Sequence, residues 1–141
     1  MLNSDDITAL MLEVITHLGI RQDELWVGAG SAMCLADSSL RKETADVDTG
    51  CLPELYDRIA KSSLVTDSHI DKRYSEYPIV TLLDYVDVHR EEEKPDDLVS
   101  TGSVTYASME SVLEFKRGLN RSKDQRDIRA LEVYIALKGR I

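Results

Sequence analysis

The 141-residue chain has no apolar run near the length needed to cross a bilayer, which excludes a spanning helix, so no membrane partner is expected. Its opening residues, Met1-Leu2-Asn3-Ser4-Asp5-Asp6, lack the basic segment and following apolar stretch of a secretory signal. A cytoplasmic location is the expectation. Cysteine is scarce: Cys34 and Cys51 lie in apolar contexts without metal-ligand spacing, so buried reduced thiols are expected rather than a disulfide framework or zinc site. Net positive charge is lacking too. At −9 the chain is poorly suited to strong nonspecific nucleic-acid binding, which draws its affinity from clustered Lys and Arg. There is no internal repeat and no low-complexity tract.

What is present suits one domain over residues 1–141, with 43% hydrophobic residues and length enough for a single core. The charge is uneven. Between Lys116 and Arg129 six basic residues stand against two acidic ones, a local balance of +4 where an anion could dock. The opposite extreme, Glu91-Glu92-Glu93-Lys94-Pro95-Asp96-Asp97, reads as a solvated acidic loop.

Periodicity predicts a first helix capped by Ser4, with Ile7, Leu10, Met11, Val14, Ile15 and Leu18 on its apolar face and Gly19 at its end. Leu25-Trp26-Val27 then leads into Gly28-Ala29-Gly30-Ser31 and a short helix to Ala36: strand, glycine turn, helix. A polar loop precedes a strand from Asp46 to Cys51, and Pro53 suits the first turn of a helix running to about Lys61. Ser63–His69 and Tyr77–His89 read as strands, the second split or bulged near Asp84, and Ser103–Tyr106 as an edge strand. Two helices close the chain. The first begins near Ser108, buries Val112, Leu113 and Phe115, and stops around Gly118; the second opens on a capping box between Ser122 and Gln125.

Alternation along a strand places Asp46 and Asp48 on one side, where two ionised carboxylates repel each other and a cation relieves the cost. Mg2+ prefers such hard oxygen donors, commonly one or two carboxylates with phosphates and waters. A glycine-serine turn at a helix N-terminus, here Gly30-Ser31, lets N–H groups and a hydroxyl approach phosphate oxygens. The turn is neither a Rossmann nor a P-loop fingerprint. A third carboxylate is expected from Tyr77–His89. Val80, Leu82, Val86 and Val88 take its core face, leaving Thr81, Tyr85, Asp87 and His89 on the other. Asp87 is the better candidate; Asp84 stays open as the alternative, re-aimed by a bulge.

Trp26-Val27-Gly28-Ala29-Gly30-Ser31-Ala32, Lys42-Glu43-Thr44-Ala45-Asp46-Val47-Asp48, Val86-Asp87-Val88, Leu113-Glu114-Phe115-Lys116 and Asn120-Arg121-Ser122-Lys123-Asp124 follow one another in an order that resembles the small nucleotidyltransferases of the polymerase-beta superfamily. Within it the pattern is similar to the branch of minimal and toxin-like enzymes found in mobile-element defence systems. The resemblance implies an α+β, mixed α/β nucleotidyltransferase fold: a mixed sheet with helices packed on one face and an open active-site face. It further implies that Asp46, Asp48 and Asp87 are catalytic and hold Mg2+ or Mn2+. Gly30, Ser31, Lys116, Arg121 and Lys123 would bind a nucleoside triphosphate.

The chain departs from the family in three places. Ala29 stands for one of the paired glycines, Lys42 with Arg41 beside it for the usual arginine, and the loop before the acidic pair is slightly long. The implied activity is transfer of a nucleoside monophosphate to an acceptor hydroxyl on a small molecule, a protein or an RNA, in a toxin–antitoxin or defence setting. A protein partner or second copy would supply acceptor surface. The alternative is an inactive binding or regulatory protein of the same fold.

Overall fold

The computed structural model describes residues 1–73 and 75–139. It is mixed α and β, a seven-stranded mixed sheet with five helices. In chain order these are α1 (Ser4–Leu18), β1 (Trp26–Val27), α2 (Ala29–Ala36), β2 (Val47–Cys51), α3 (Pro53–Ala60), β3 (Val65–His69), β4 (Ile79–Leu82), β5 (Val86–Arg90), β6 (Val99–Ser100), β7 (Thr105–Tyr106), α4 (Met109–Leu119) and α5 (Gln125–Lys138). The strands run in the order β3-β4-β5-β2-β1-β7-β6. Two neighbouring pairs, β2 with β5 and β1 with β7, are parallel; the rest are antiparallel. No helix among the described residues is long and apolar enough to cross a membrane.

The segment Tyr77–His89, expected to be split or bulged near Asp84, is split there into a hairpin of β4 and β5. Leu83 and Asp84 turn it with φ of 52° and 66°, and the Tyr85 N–H donates to the Leu82 carbonyl. Its facing pattern survives because even residues pair with even: Leu82 with Val86 and Val80 with Val88. All four are buried, packed with Val47 and Cys51 of β2 against Ile7, Met11, Val14 and Leu18 of α1 and Tyr56 and Ile59 of α3. A second cluster joins Ala32 and Met33 of α2 to Met109, Val112 and Leu113 of α4 and Ile128 and Leu131 of α5. Cys34 and Cys51 are buried free thiols.

Three local expectations change. Asn3, not Ser4, caps α1, because its side chain accepts the Asp6 N–H while the Asp6 carboxylate accepts the Asn3 N–H. Ser122–Asp124 is a 3-10 turn before α5, and Gln125 reaches back to the Arg121 carbonyl instead of forming a box with Ser122. The edge strand at this end of the sheet is β6, while β7 is inserted between β6 and β1, where the Ala107 N–H donates to the Val27 carbonyl. Pro53 does open α3, and Ser108 caps α4 by accepting the Ser111 N–H.

Candidate functional site

Parallel pairing of β2 and β5 sets Asp48 directly opposite Asp87, and Asp46 lies just before β2. Asp46 is exposed, Asp48 and Asp87 half-buried. Thr81, across from Asp87 in the hairpin, donates its hydroxyl to Asp87 Oδ1 at 2.7 Å and fixes that carboxylate. Burial pushes the Asp87 carboxyl above the ordinary aspartate range, the Thr81 hydrogen bond opposes this, and the charges of Asp48 and Asp46 push it further up. Asp84 lies exposed in the hairpin turn.

His89 is the residue that the sequence placed on this face without giving it a role. Its Nε2 stands 3.5 Å from Asp48 Oδ1. Burial draws the imidazole pKa down, but the hydrogen bond and charge of Asp48, with Glu91 and Asp87, outweigh it, and the net shift is upward.

The glycine turn is built into the same place. The Gly28 N–H donates to the Asp48 carbonyl at 2.8 Å, tying the start of α2 to β2. Ser31, fully buried, donates its hydroxyl to the Asp46 carbonyl at 2.8 Å and accepts the Asp48 N–H at 3.1 Å. This hydroxyl therefore holds the backbone on either side of Val47 and so aims both carboxylates. Ala29, where the resembled family has glycine, adopts φ 50°, a left-handed conformation costing an L-residue about 1–2 kcal/mol. Gly30 is covered by Arg41: a β-carbon there would lie 2.7 Å from Arg41 Nη1.

The basic residues of the C-terminal segment are arranged differently from expectation. Lys116 is 4% exposed, turned inward, with Nζ 3.2 Å from Asp127 and 3.5 Å from Asp124, whereas Phe115 is 42% exposed. Lys116, expected toward the open face of the sheet, is buried, and Phe115, expected to be buried, is exposed. The reason is helical spacing: Met109, Val112, Leu113 and Lys116 share the buried stripe of α4. Arg121 grips Asp124 with two hydrogen bonds of 2.6 and 2.9 Å, which hold that carboxyl below its ordinary range. Arg41 reaches Asp127 at 3.0 Å. Lys123 is exposed. The structure thus brings Asp46, Asp48, Asp87, Gly30 and Ser31 together, and gathers Lys116 and Arg121 into a buried ionic cluster that Arg41 connects to the turn.

A cleft of about 240 Å³ opens beside Asp48, bounded by Trp26, Ala29, His89, Glu91, Val112 and Phe115 among others. Trp26 lies across from Gly50 in the β1–β2 pair, and a β-carbon at Gly50 would come within 2.8 Å of its indole nitrogen. Gly50 therefore lets the indole form the wall of the cleft. Among the described residues no group of three His, Cys, Asp or Glu is gathered closely enough to hold a metal ion. Asp48 and Asp87, with Asp46 beside them, are the oxygen donors from which a hard cation could take one or two ligands, completing its shell with phosphates and water.

The chain matches no protein-family model, no curated protein and no solved structure.

Proposed function

We propose that the protein is a metal-dependent nucleotidyltransferase, moving a nucleoside monophosphate from a nucleoside triphosphate to an acceptor hydroxyl. The observation that carries this reading is the register of β2 and β5, which sets Asp48 against Asp87 with Asp46 two residues upstream, beside the glycine turn at the start of α2.

Magnesium or manganese suits the donor set, because hard oxygen donors favour these ions and a cation relieves the Asp48 and Asp46 charges that, after burial, push the Asp87 carboxyl up. Asp48 and Asp87, with Asp46 beside them, would give it one or two ligands, and phosphate oxygens and water the rest. The chemistry such an ion supplies when bound is neutralisation of triphosphate charge. The residues themselves do the rest. Asp87, oriented by Thr81, accepts the acceptor's proton as its oxygen bonds to the α-phosphorus; the bond from that phosphorus to the bridging oxygen breaks, and pyrophosphate leaves. Ser31 keeps Asp46 and Asp48 in place throughout. A defence or toxin–antitoxin setting is part of the proposal.

One set of observations favours a second reading, an inactive binding or regulatory relative of that fold. The Ser31 hydroxyl is used by backbone, Lys116 by Asp124 and Asp127, and the space over Gly30 by Arg41, so three groups suited to a triphosphate have other partners. Pyrophosphate release separates the two. With Mg2+ or Mn2+, nucleoside triphosphate and a mixed pool of cellular acceptors, the enzyme releases pyrophosphate and its Asp87→Asn variant does not. Triphosphate binding without release supports the inactive relative.

A further inference from the structure

Side chains alternate along β5 and its extension, and the alternation sorts charge. His89, Glu91 and Glu93 line the cleft beside Asp48. The cations between and after them are engaged elsewhere: Arg90 pairs with Glu92 and lies over the Tyr77 ring at 3.9 Å, and Lys94 bonds Asp23 at 2.8 Å. Among the described residues the cleft lining therefore holds three carboxylates, Asp48, Glu91 and Glu93, one imidazole, and no Lys or Arg. Three minus one leaves an excess of two negative charges even when His89 is protonated.

The remaining wall is apolar and partly aromatic, formed by Trp26, Val112 and Phe115. Glu91 is exposed as a whole residue, while desolvation at its carboxyl pushes it up against the pull of His89. A triphosphate without a metal ion is repelled by such a lining. An ammonium on a ring-sized apolar frame complements both halves, with its charge toward the carboxylates and its frame against the aromatic wall.

We propose that the cleft bounded by Trp26, Phe115 and Glu91 binds a small organic cation, an amine carried on an apolar or aromatic frame. Binding does not depend on nucleotide chemistry, although the cleft shares Asp48 with the proposed metal site.

Trp26 is the single tryptophan and lines the cleft, so its emission reports occupancy. Phenethylamine, titrated without nucleotide or metal, should give a saturable change that phenylethanol, its neutral counterpart, does not. Glu91→Gln should weaken phenethylamine binding about tenfold, as expected for loss of a charge-assisted contact. Glu92→Gln removes the same charge from the side facing Arg90 and should leave binding unchanged. The inference is overturned if phenylethanol or adenosine binds as tightly as the amine, if the two variants lose equally, or if no saturable change occurs. Failure of the nucleotidyltransferase reading appears separately, as absent triphosphate binding, which this titration does not touch.

Discussion

Asp87 stands in register with Asp48 across two parallel strands, and the Thr81 hydroxyl holds it there from the third. The arrangement disfavours the charged Asp87 carboxylate, by burial first and by the charges of Asp48 and Asp46 after it. A carboxyl whose folded pKa is raised costs stability once pH exceeds its unfolded value of about 3.8, so stability falls as pH rises through that window. Asp87→Asn, whose Oδ1 can still accept from Thr81, should therefore raise the melting temperature of the metal-free protein at neutral pH. If Asp87 is the base, the same variant should lose at least about a hundredfold in turnover. A lower melting temperature would mean that the carboxylate is a structural partner instead.

His89 gives a pH signature of opposite origin. Its folded pKa lies above the usual value of 6.5, so the stabilisation from Asp48 is fully present below that value and is lost as pH rises through the folded pKa. Asp48→Asn should lower the His89 pKa in an NMR titration, and should reduce stability more in mildly acidic solution than in alkaline. An unchanged His89 titration would remove the pair from the site.

Lys116→Ala tests the buried ionic cluster. Removing one partner from a buried pair leaves charge without its counterpart, and the expected loss in a urea titration is about 3 kcal/mol, the remaining arginines softening the penalty. Exposed Lys123→Ala should stay within about 0.5 kcal/mol of the parent. Equal effects would contradict the inward placement of Lys116.

Gly30 and Arg41 should be coupled. A β-carbon at Gly30 drives the guanidinium from its seat and so from Asp127, at an expected cost of about 1–2 kcal/mol for Gly30→Ala. In Arg41→Ala the space is vacated, and adding Gly30→Ala should then cost little. Additive losses in the double-mutant cycle would show that the two residues act apart.

Much of the sheet was legible because alternation is local. Val80, Leu82, Val86 and Val88 declare a core face, and the hairpin that interrupts them keeps the same parity. What joins residues far apart in sequence was not. The parallel register that brings His89 to Asp48, the insertion of β7 beside β1, and the seat of Arg41 on Gly30 depend on tertiary packing. Lys116 is a different case. Its position three and seven residues after Leu113 and Met109 placed it on the buried stripe of α4, and Asp124 and Asp127 follow within reach of the next helix. Placing Phe115 on the buried side with Val112 and Leu113, in place of Met109 and Lys116, concealed the signal.

Calorimetric titration with nucleoside triphosphate, with and without Mg2+, tests the central claim most directly. The parent should bind saturably only when the metal is present, and Asp46→Asn combined with Asp48→Asn should remain folded and lose that heat, because the variant keeps the backbone bonds to Ser31 and lacks the charged oxygens. Absence of heat from the parent at millimolar ligand, or binding by the double variant as tight as the parent's, would contradict it.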